Sequence, residues 1–277
     1  LDQIERAKVH GISVGPAKLD WAALIRRKAG IIAHIPAAMK GVAEKRGTVF
    51  TGRAAFTGPN TVQVGGDTLE GRDIVIATGS RTRPLPIPSA ELMITSDEVL
   101  SETTLPSEFV FIGGGVIAME FSHVYARAGA RVTILELAPQ LLGRMDADAV
   151  AMLAAETARL GVTIKTGVKV NAIERADGQL HVRFEHDGKA QTVRADRVVN
   201  GAGRIADVEG LNLDAGGIRH DGIRIELDPY LRSVSNPAVY AGGDAAASGP
   251  PLTPKADHDA AVLATNLLEG HRRTVNY

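Results

Sequence analysis

An α/β fold is what this sequence predicts, and three features carry the prediction. Short apolar runs at 73–77, 109–112 and 238–241 each end in a glycine turn, and the first is continuous enough for a strand buried on both faces. Longer stretches at 116–127 and 146–160 have the spacing of amphipathic helices and lie between strand-like runs. The 277 residues suffice for two ordinary domains, or for one domain interrupted by another.

Composition narrows the class of function. The hydrophobic fraction is 44% and the charged fraction 23%, ordinary for a soluble α/β chain. A net charge of −1 offers no field to draw in nucleic acid or an anionic membrane, and neither is expected as a partner. No apolar run approaches the roughly 20 residues a spanning helix needs. The opening LDQIERAKVHGI is mixed and charged, unlike a secretory leader, so the expected location is cytoplasmic. Leu1 is not an initiator methionine and the start reads as mid-helix, so a piece of a longer chain is expected. Cysteine is absent, which excludes disulfides, thiolate metal sites and a thiol nucleophile within these residues.

Taken in order, residues 1–10 and 20–46 have helical spacing, the second with Leu24, Ile25, Ile31, Ile32 and Ile35 as apolar positions and a break at Pro36. Trp21 reads as packing. Val49-Phe50, 53–56, Thr61–Val64 and 68–69 read as short strands separated by the turns Gly58-Pro59-Asn60 and Gly65-Gly66-Asp67. The stretch 81–89 contains Pro84, Pro86 and Pro88, cannot be helix or central strand, and reads as a linker. Ser96-Asp97-Glu98 opens a short helix, its acids favoured at the positive end. Strands at 109–112, 132–135 and 162–165 then alternate with the two helices, Gly161 capping the second. A meander at 169–175, 179–185 and 190–194 turns at Asp177-Gly178 and Asp187-Gly188. Strands at 197–199 and 238–241 and a helix at 257–268 complete the chain.

The sharpest constellation is Phe109-Val110-Phe111-Ile112-Gly113-Gly114-Gly115-Val116-Ile117-Ala118, with Glu136 closing the next strand. Gly113 suits a tight turn, Gly115 a close approach to a pyrophosphate, and Ala118, in the third-glycine position, close helix–strand packing. Gly114, Val116 and Ile117 complete the loop and first helical turn, whose free N–H groups and dipole favour phosphate. Glu136 can accept hydrogen bonds from an adenosine ribose diol. A carboxylate there repels a 2′-phosphate, and the nearest cations, Arg131 and Arg144, do not follow it directly; NAD is therefore expected, with Ala118 keeping NADP open.

Two further motifs are Ile74-Val75-Ile76-Ala77-Thr78-Gly79-Ser80 and Val239-Tyr240-Ala241-Gly242-Gly243-Asp244. Flanking a complete nucleotide unit, they make the chain resemble the FAD-dependent pyridine nucleotide–disulfide oxidoreductases, the family of glutathione reductase, dihydrolipoamide dehydrogenase and mercuric reductase. Leu252-Thr253-Pro254-Lys255-Ala256 and Gly201-Ala202-Gly203-Arg204 extend the resemblance over essentially the whole chain.

The resemblance implies two Rossmann-like three-layer domains, an NAD-binding domain (93–209) inserted in a partial FAD-binding domain (1–92 and 210–277). It implies that Asp244, beside Gly243, bonds a flavin ribityl hydroxyl, and that Thr78, Gly79 and Ser80 line the FAD side of the crossover. Gly203 and Arg204 close the nucleotide domain, and Glu120 lies near the flavin–nicotinamide junction. The implied reaction passes hydride from NAD(P)H to FAD and on to a disulfide or other small acceptor, in a homodimer when the enzyme is intact. The chain departs from the family by lacking a first FAD phosphate loop, a CxxxxC pair and a C-terminal dimerisation domain. Val116 stands where an aromatic lid is common, and Asp259-Ala260 replaces a Gly-Arg pair. Weak FAD binding follows as an expectation, and a non-catalytic NAD(H)-binding module is the alternative. His258 and His271 read as surface histidines that nothing orients. His10, His34 and His123 are isolated, so no metal is expected.

Overall fold

The computed structural model describes residues 1–143 and 145–277, without the side chains of Asp2 and Glu5. Arg144, considered above for NADP, lies outside the described residues. The chain divides into two compact units, residues 1–38 with 82–203, and 39–81 with 204–277. Residues 1–38, which the sequence reading groups with 39–92, thus cluster with the first unit.

The first unit is built on a four-stranded parallel sheet ordered Arg197–Asn200, Glu108–Ile112, Arg131–Leu135, Thr163–Lys165. Side chains alternate across a strand, and this alternation divides the core. Phe109, Phe111 and Ile134 pack with Tyr125 and Trp21 on one face, while Val110, Ile112, Leu135 and Val198 pack with the meander on the other. The helix Val116–Ala128 follows the central strand and buries Ala118, Met119, Ser122 and Tyr125. Asp146 caps the helix Ala147–Arg159 by accepting from the Asp148 and Ala149 amides. The meander Lys169–Ala176, Gln179–His186, Lys189–Ala195 is antiparallel. Both residues of each tight turn have positive φ, as the hairpin twist demands.

The helices Trp21–Ile32 and Ile35–Glu44 break where Pro36 was expected to break them. Their apolar stripe does not form a core: Leu24, Ile31, Ile32 and Ile35 are exposed, and Trp21 is the buried residue of the first helix. Helical periodicity identifies a face but not what covers it.

The second unit holds an antiparallel sheet of Ala54–Gly58, Thr61–Val64 and Asp67–Glu70, a parallel pair of Ile74–Ile76 with Val239–Ala241, and the helix Thr253–Glu269. Phe56, Ile76, Leu231, Tyr240, Val262 and Leu263 share its core. Three expectations are corrected here. Val49 and Phe50 are exposed and outside any strand. Val75 is 42% exposed, so the strand at 74–76 is buried on one face and opens a cleft with the other. The last helix begins at Thr253 rather than 257, because Pro254 sits in its first turn, where a missing N–H costs little.

Tyr125 ties the first unit together. Its ring lies 4.1 Å from that of Phe109 and 4.9 Å from that of Trp21, and its hydroxyl donates to the Val99 carbonyl at 2.9 Å. Tyr125→Phe removes the shorter of two bonds to that carbonyl, which also accepts from the Glu102 amide at 3.5 Å, and is expected to cost about 0.5–1.5 kcal/mol in urea denaturation. Burial, reinforced by the Glu102 charge, pushes the Tyr125 phenol up to about 12. The folded phenol therefore keeps its proton where the unfolded one, near its ordinary value of about 10, has lost it. Stability from this group is full below pH ~10 and is lost as pH rises through ~12. Tyr125→Phe should flatten part of that fall.

Candidate functional site

In the first unit the site grows from the end of the central strand. Gly113 has φ +101°, and a Cβ there would lie 2.5 Å from the backbone of Gly201 and 2.6 Å from that of Ala202. Two strand ends thus cross with no room for a side chain between them. The Gly201 amide donates to the Ile112 carbonyl at 2.8 Å, and the Gly113 amide to Leu135 at 2.8 Å. Ala118 is fully buried beneath this crossing, and a Cβ on Gly201 would meet its methyl at 3.5 Å. The close helix–strand packing read from the sequence therefore involves a third partner, Gly201, that the motif does not name.

Gly114 is walled by Leu141, whose methyl would lie 2.3 Å from an added Cβ, and its carbonyl accepts from the Leu142 amide. Gly115 has only the Gly201 carbonyl near an added Cβ, at 3.5 Å, so the protein itself leaves room there. Gly115 caps the helix without a side-chain bond, and Val116 and Ile117 form its first turn, Val116 being exposed. This is a helix start whose amides remain available to an anion.

Glu136 faces the loop. Its Oε2 accepts from the Gly114 amide at 2.5 Å and its Oε1 from the Ala138 amide at 2.7 Å. The carboxylate is thereby fixed at the rim of the glycine loop, half-buried, with lone pairs to spare for hydroxyl donors. Arg131 begins the strand that Glu136 ends, roughly 15 Å away by strand rise, and bonds Glu108. It cannot serve a 2′-phosphate at that carboxylate. Glu120 is exposed in the second helical turn rather than the first, with no hydrogen bond or ion pair found for it among the described residues.

In the second unit, Gly79 and Gly243 both have positive φ at the turns that end the paired strands. Ser80 Oγ donates to Asp244 Oδ2 at 2.7 Å, and Arg204 Nε donates to Ser80 Oγ at 2.8 Å while its Nη2 donates to the Ser80 carbonyl. The three residues, drawn from motifs far apart in sequence, form one polar chain. Thr78 is exposed beside them, and Gly203 accepts from the Arg83 amide within the first unit. An open cleft of about 690 Å³ runs between these turns and the last helix, lined by Val75, Ala77, Asp244, Leu252 and Leu263 among others. Most of its lining is apolar, and Asp244 is its charged residue.

The histidine expectation needs revision. His271 Nε2 lies 3.1 Å from the Tyr240 hydroxyl and its ring stacks on Tyr230, so it is held in place. His258 is half-buried against Tyr277.

The family model of the pyridine nucleotide-disulphide oxidoreductases matches residues 7–260. The chain belongs to that family. A dihydrolipoyl dehydrogenase of Cupriavidus necator is 31% identical over 97% of the chain and 58% of its own length. A glutathione reductase of Burkholderia cepacia is 35% identical over 90% of the chain and 55% of its own. A dihydrolipoyl dehydrogenase of Acholeplasma laidlawii, 29% identical, is covered over 82% of its length. The HOCl-induced flavoprotein disulfide reductase RclA from Escherichia coli superposes with a TM-score of 0.84 at 26% identity, over 92% of the chain and 59% of that protein. The chain thus spans little more than half the length of most of these proteins, and its Rossmann-like α/β fold is shared with the RclA structure.

Gly113→Ala tests the crossing. The left-handed backbone alone costs about 1–3 kcal/mol, and the contact with Gly201 adds to it. Circular dichroism melting should show a large drop, whereas Gly115→Ala, with room around it, should keep its melting temperature and lose nucleotide affinity.

Proposed function

We propose that this chain is the nucleotide-handling part of a flavoprotein oxidoreductase that takes electrons from NADH, passes them to FAD, and delivers them to a disulfide or another small acceptor. The observation that carries the reading is the pinned Glu136 carboxylate facing an open helix start at Gly115–Val116. In this reading Gly113–Ala118 hold the pyrophosphate of NAD and Glu136 accepts from the ribose diol. A 2′-phosphate would meet a carboxylate that two backbone amides prevent from swinging aside, which favours NAD over NADP.

Asp244, oriented by Ser80 and Arg204, is assigned to a ribityl hydroxyl of FAD, with Thr78 and Gly79 beside it and the apolar cleft taking the ring. When bound, the nicotinamide supplies a hydride and the flavin accepts it, so the protein's part is alignment and exclusion of water. Glu120, exposed on the nucleotide helix, is assigned to the nicotinamide end. The NAD-binding domain at 93–209 would interrupt the FAD-binding domain of 1–92 and 210–277. Homodimerisation of the whole enzyme and a cytoplasmic location belong to the same proposal; among the described residues no helix is long and apolar enough to cross a membrane.

Calorimetric titration of NADH and NADPH into wild type and Glu136→Arg tests the assignment. Wild type should prefer NADH by about tenfold or more, a difference of about 1.4 kcal/mol, and the variant should lose that preference. Equal affinities for both nucleotides in both proteins would remove Glu136 from the ribose. Of the two GxGxxA runs that follow a strand, Gly113–Ala118 opens a helix and is used by the NAD reading, while Gly201–Ala206 runs into another strand and offers FAD no helix start. The purified chain should therefore hold little flavin, and a stoichiometric 450-nm absorbance after gel filtration would contradict this.

A further inference from the structure

The turn that presents Asp244 rests against the last helix. A Cβ on Gly242 would lie 2.6 Å from Leu263 and 3.7 Å from the Asp259 Cβ, and one on Gly243 would lie 3.5 Å from Ala256. Positions 256, 259 and 263 form one stripe of a helix, and Lys255 and Asp259, four residues apart, sit on it as a buried ion pair. Their side chains are 4% and 0% exposed, with Nζ to Oδ2 at 2.8 Å.

Both groups also grip the turn. The Gly243 amide donates to Asp259 Oδ2 at 2.9 Å, and Lys255 Nζ donates to the Gly243 carbonyl at 2.8 Å. Asp259 Oδ1 accepts from the Tyr277 hydroxyl at 2.6 Å, which lies 2.9 Å from Ser248 Oγ. The Tyr277 ring packs on Gly249, 3.1 Å from the place of a Cβ, and Lys255 Nζ stands 5.4 Å from the ring centroid.

The geometry points to Lys255 and Asp259 as positioning residues: they clamp the amide and the carbonyl of Gly243, hold that residue in its left-handed conformation, and thereby aim Asp244 at Ser80 and the cleft. A buried ion pair adds little net stability over apolar residues of similar volume. What this pair supplies is direction, two charge-assisted bonds on one residue of a turn that glycine leaves otherwise free. The inference rests on the proposed role of the cleft for its purpose, though not for its geometry.

Three variants of the full chain test it by NMR. Lys255→Met/Asp259→Leu fills the space without charge. It should melt near wild type, yet raise amide exchange at Gly243 by about tenfold or more and move the Asp244 amide resonance, with the Phe111 amide unchanged. Asp259→Asn leaves Lys255 unpaired and should raise Gly243 exchange with a lowered melting temperature. Should the double variant fail to fold, Tyr277→Phe removes one of the donors to Asp259 and should raise Gly243 exchange about two- to threefold.

Unchanged Gly243 exchange and an unchanged Asp244 amide resonance in the folded variants would overturn the clamp and leave a pair with a packing role alone. No readout uses a nucleotide, so this failure leaves the NADH titration standing, and the failure of that titration leaves the clamp standing.

Discussion

The close passage of Gly113 over the Gly201–Ala202 backbone constrains more of this molecule than any other contact. A parallel sheet delivers the ends of its strands to one edge, and there the chain must leave the central strand, turn, and start a helix that packs back on the sheet. The strand Arg197–Asn200 ends at the same edge in register with Glu108–Ile112. With backbone 2.5 Å from where a Cβ would be, the turn at 113 admits no side chain. Once that crossing is fixed, Ala118 can be buried against it, the helix begins at Gly115, and its first amides face outward instead of into the core. The open helix start proposed above for the pyrophosphate follows from how tightly the two backbones are packed.

Glu136 depends on the same geometry. A carboxylate at the end of a strand beside a helix start could point in several directions. Here the Gly114 amide is free to hold one oxygen because the loop has turned it toward the neighbouring strand, and the Ala138 amide holds the other. The negative charge is thus placed by backbone groups that the crossing itself positions. The proposed selection against a 2′-phosphate would need this rigidity, since a mobile side chain could rotate away and cost a phosphate little.

Much of this was legible in the sequence because it depends on local rules. The apolar run Phe109–Ile112 announced a strand, Asp177-Gly178 and Asp187-Gly188 announced their turns, and the glycines at 113 and 115 with Glu136 announced the loop. What escaped was nonlocal. Gly201, Leu141 and the Ser80–Arg204–Asp244 chain come together only when strands distant in sequence pair. Apart from Ile25, which packs on the core, the apolar positions at 24–35 obey helical periodicity and still face outward, since periodicity says nothing about cover. Lys255 and Asp259 carried a readable i, i+4 spacing, but that spacing describes an exposed pair as well as a buried one. Only the glycines at 242 and 243, allowing the turn to lie against the helix, separate the two cases.

The two sites therefore solve one problem by different means. In each, a strand ends in a glycine turn that must hold a polar group steady without a side chain of its own. At Gly113–Gly115 the steadiness comes from steric exclusion: backbone packs on backbone, and the neighbouring strand supplies the wall. At Gly242–Asp244 the parallel sheet has two strands among the described residues, and none of their backbone crosses the turn as closely. Hydrogen bonds from a helix take the place of that wall, and they must be strong ones, because a turn held by neutral contacts at its back would remain free to rotate. A buried carboxylate and ammonium gripping the two polar groups of Gly243 meet that requirement, which accounts for charges in a core where apolar residues would pack as well.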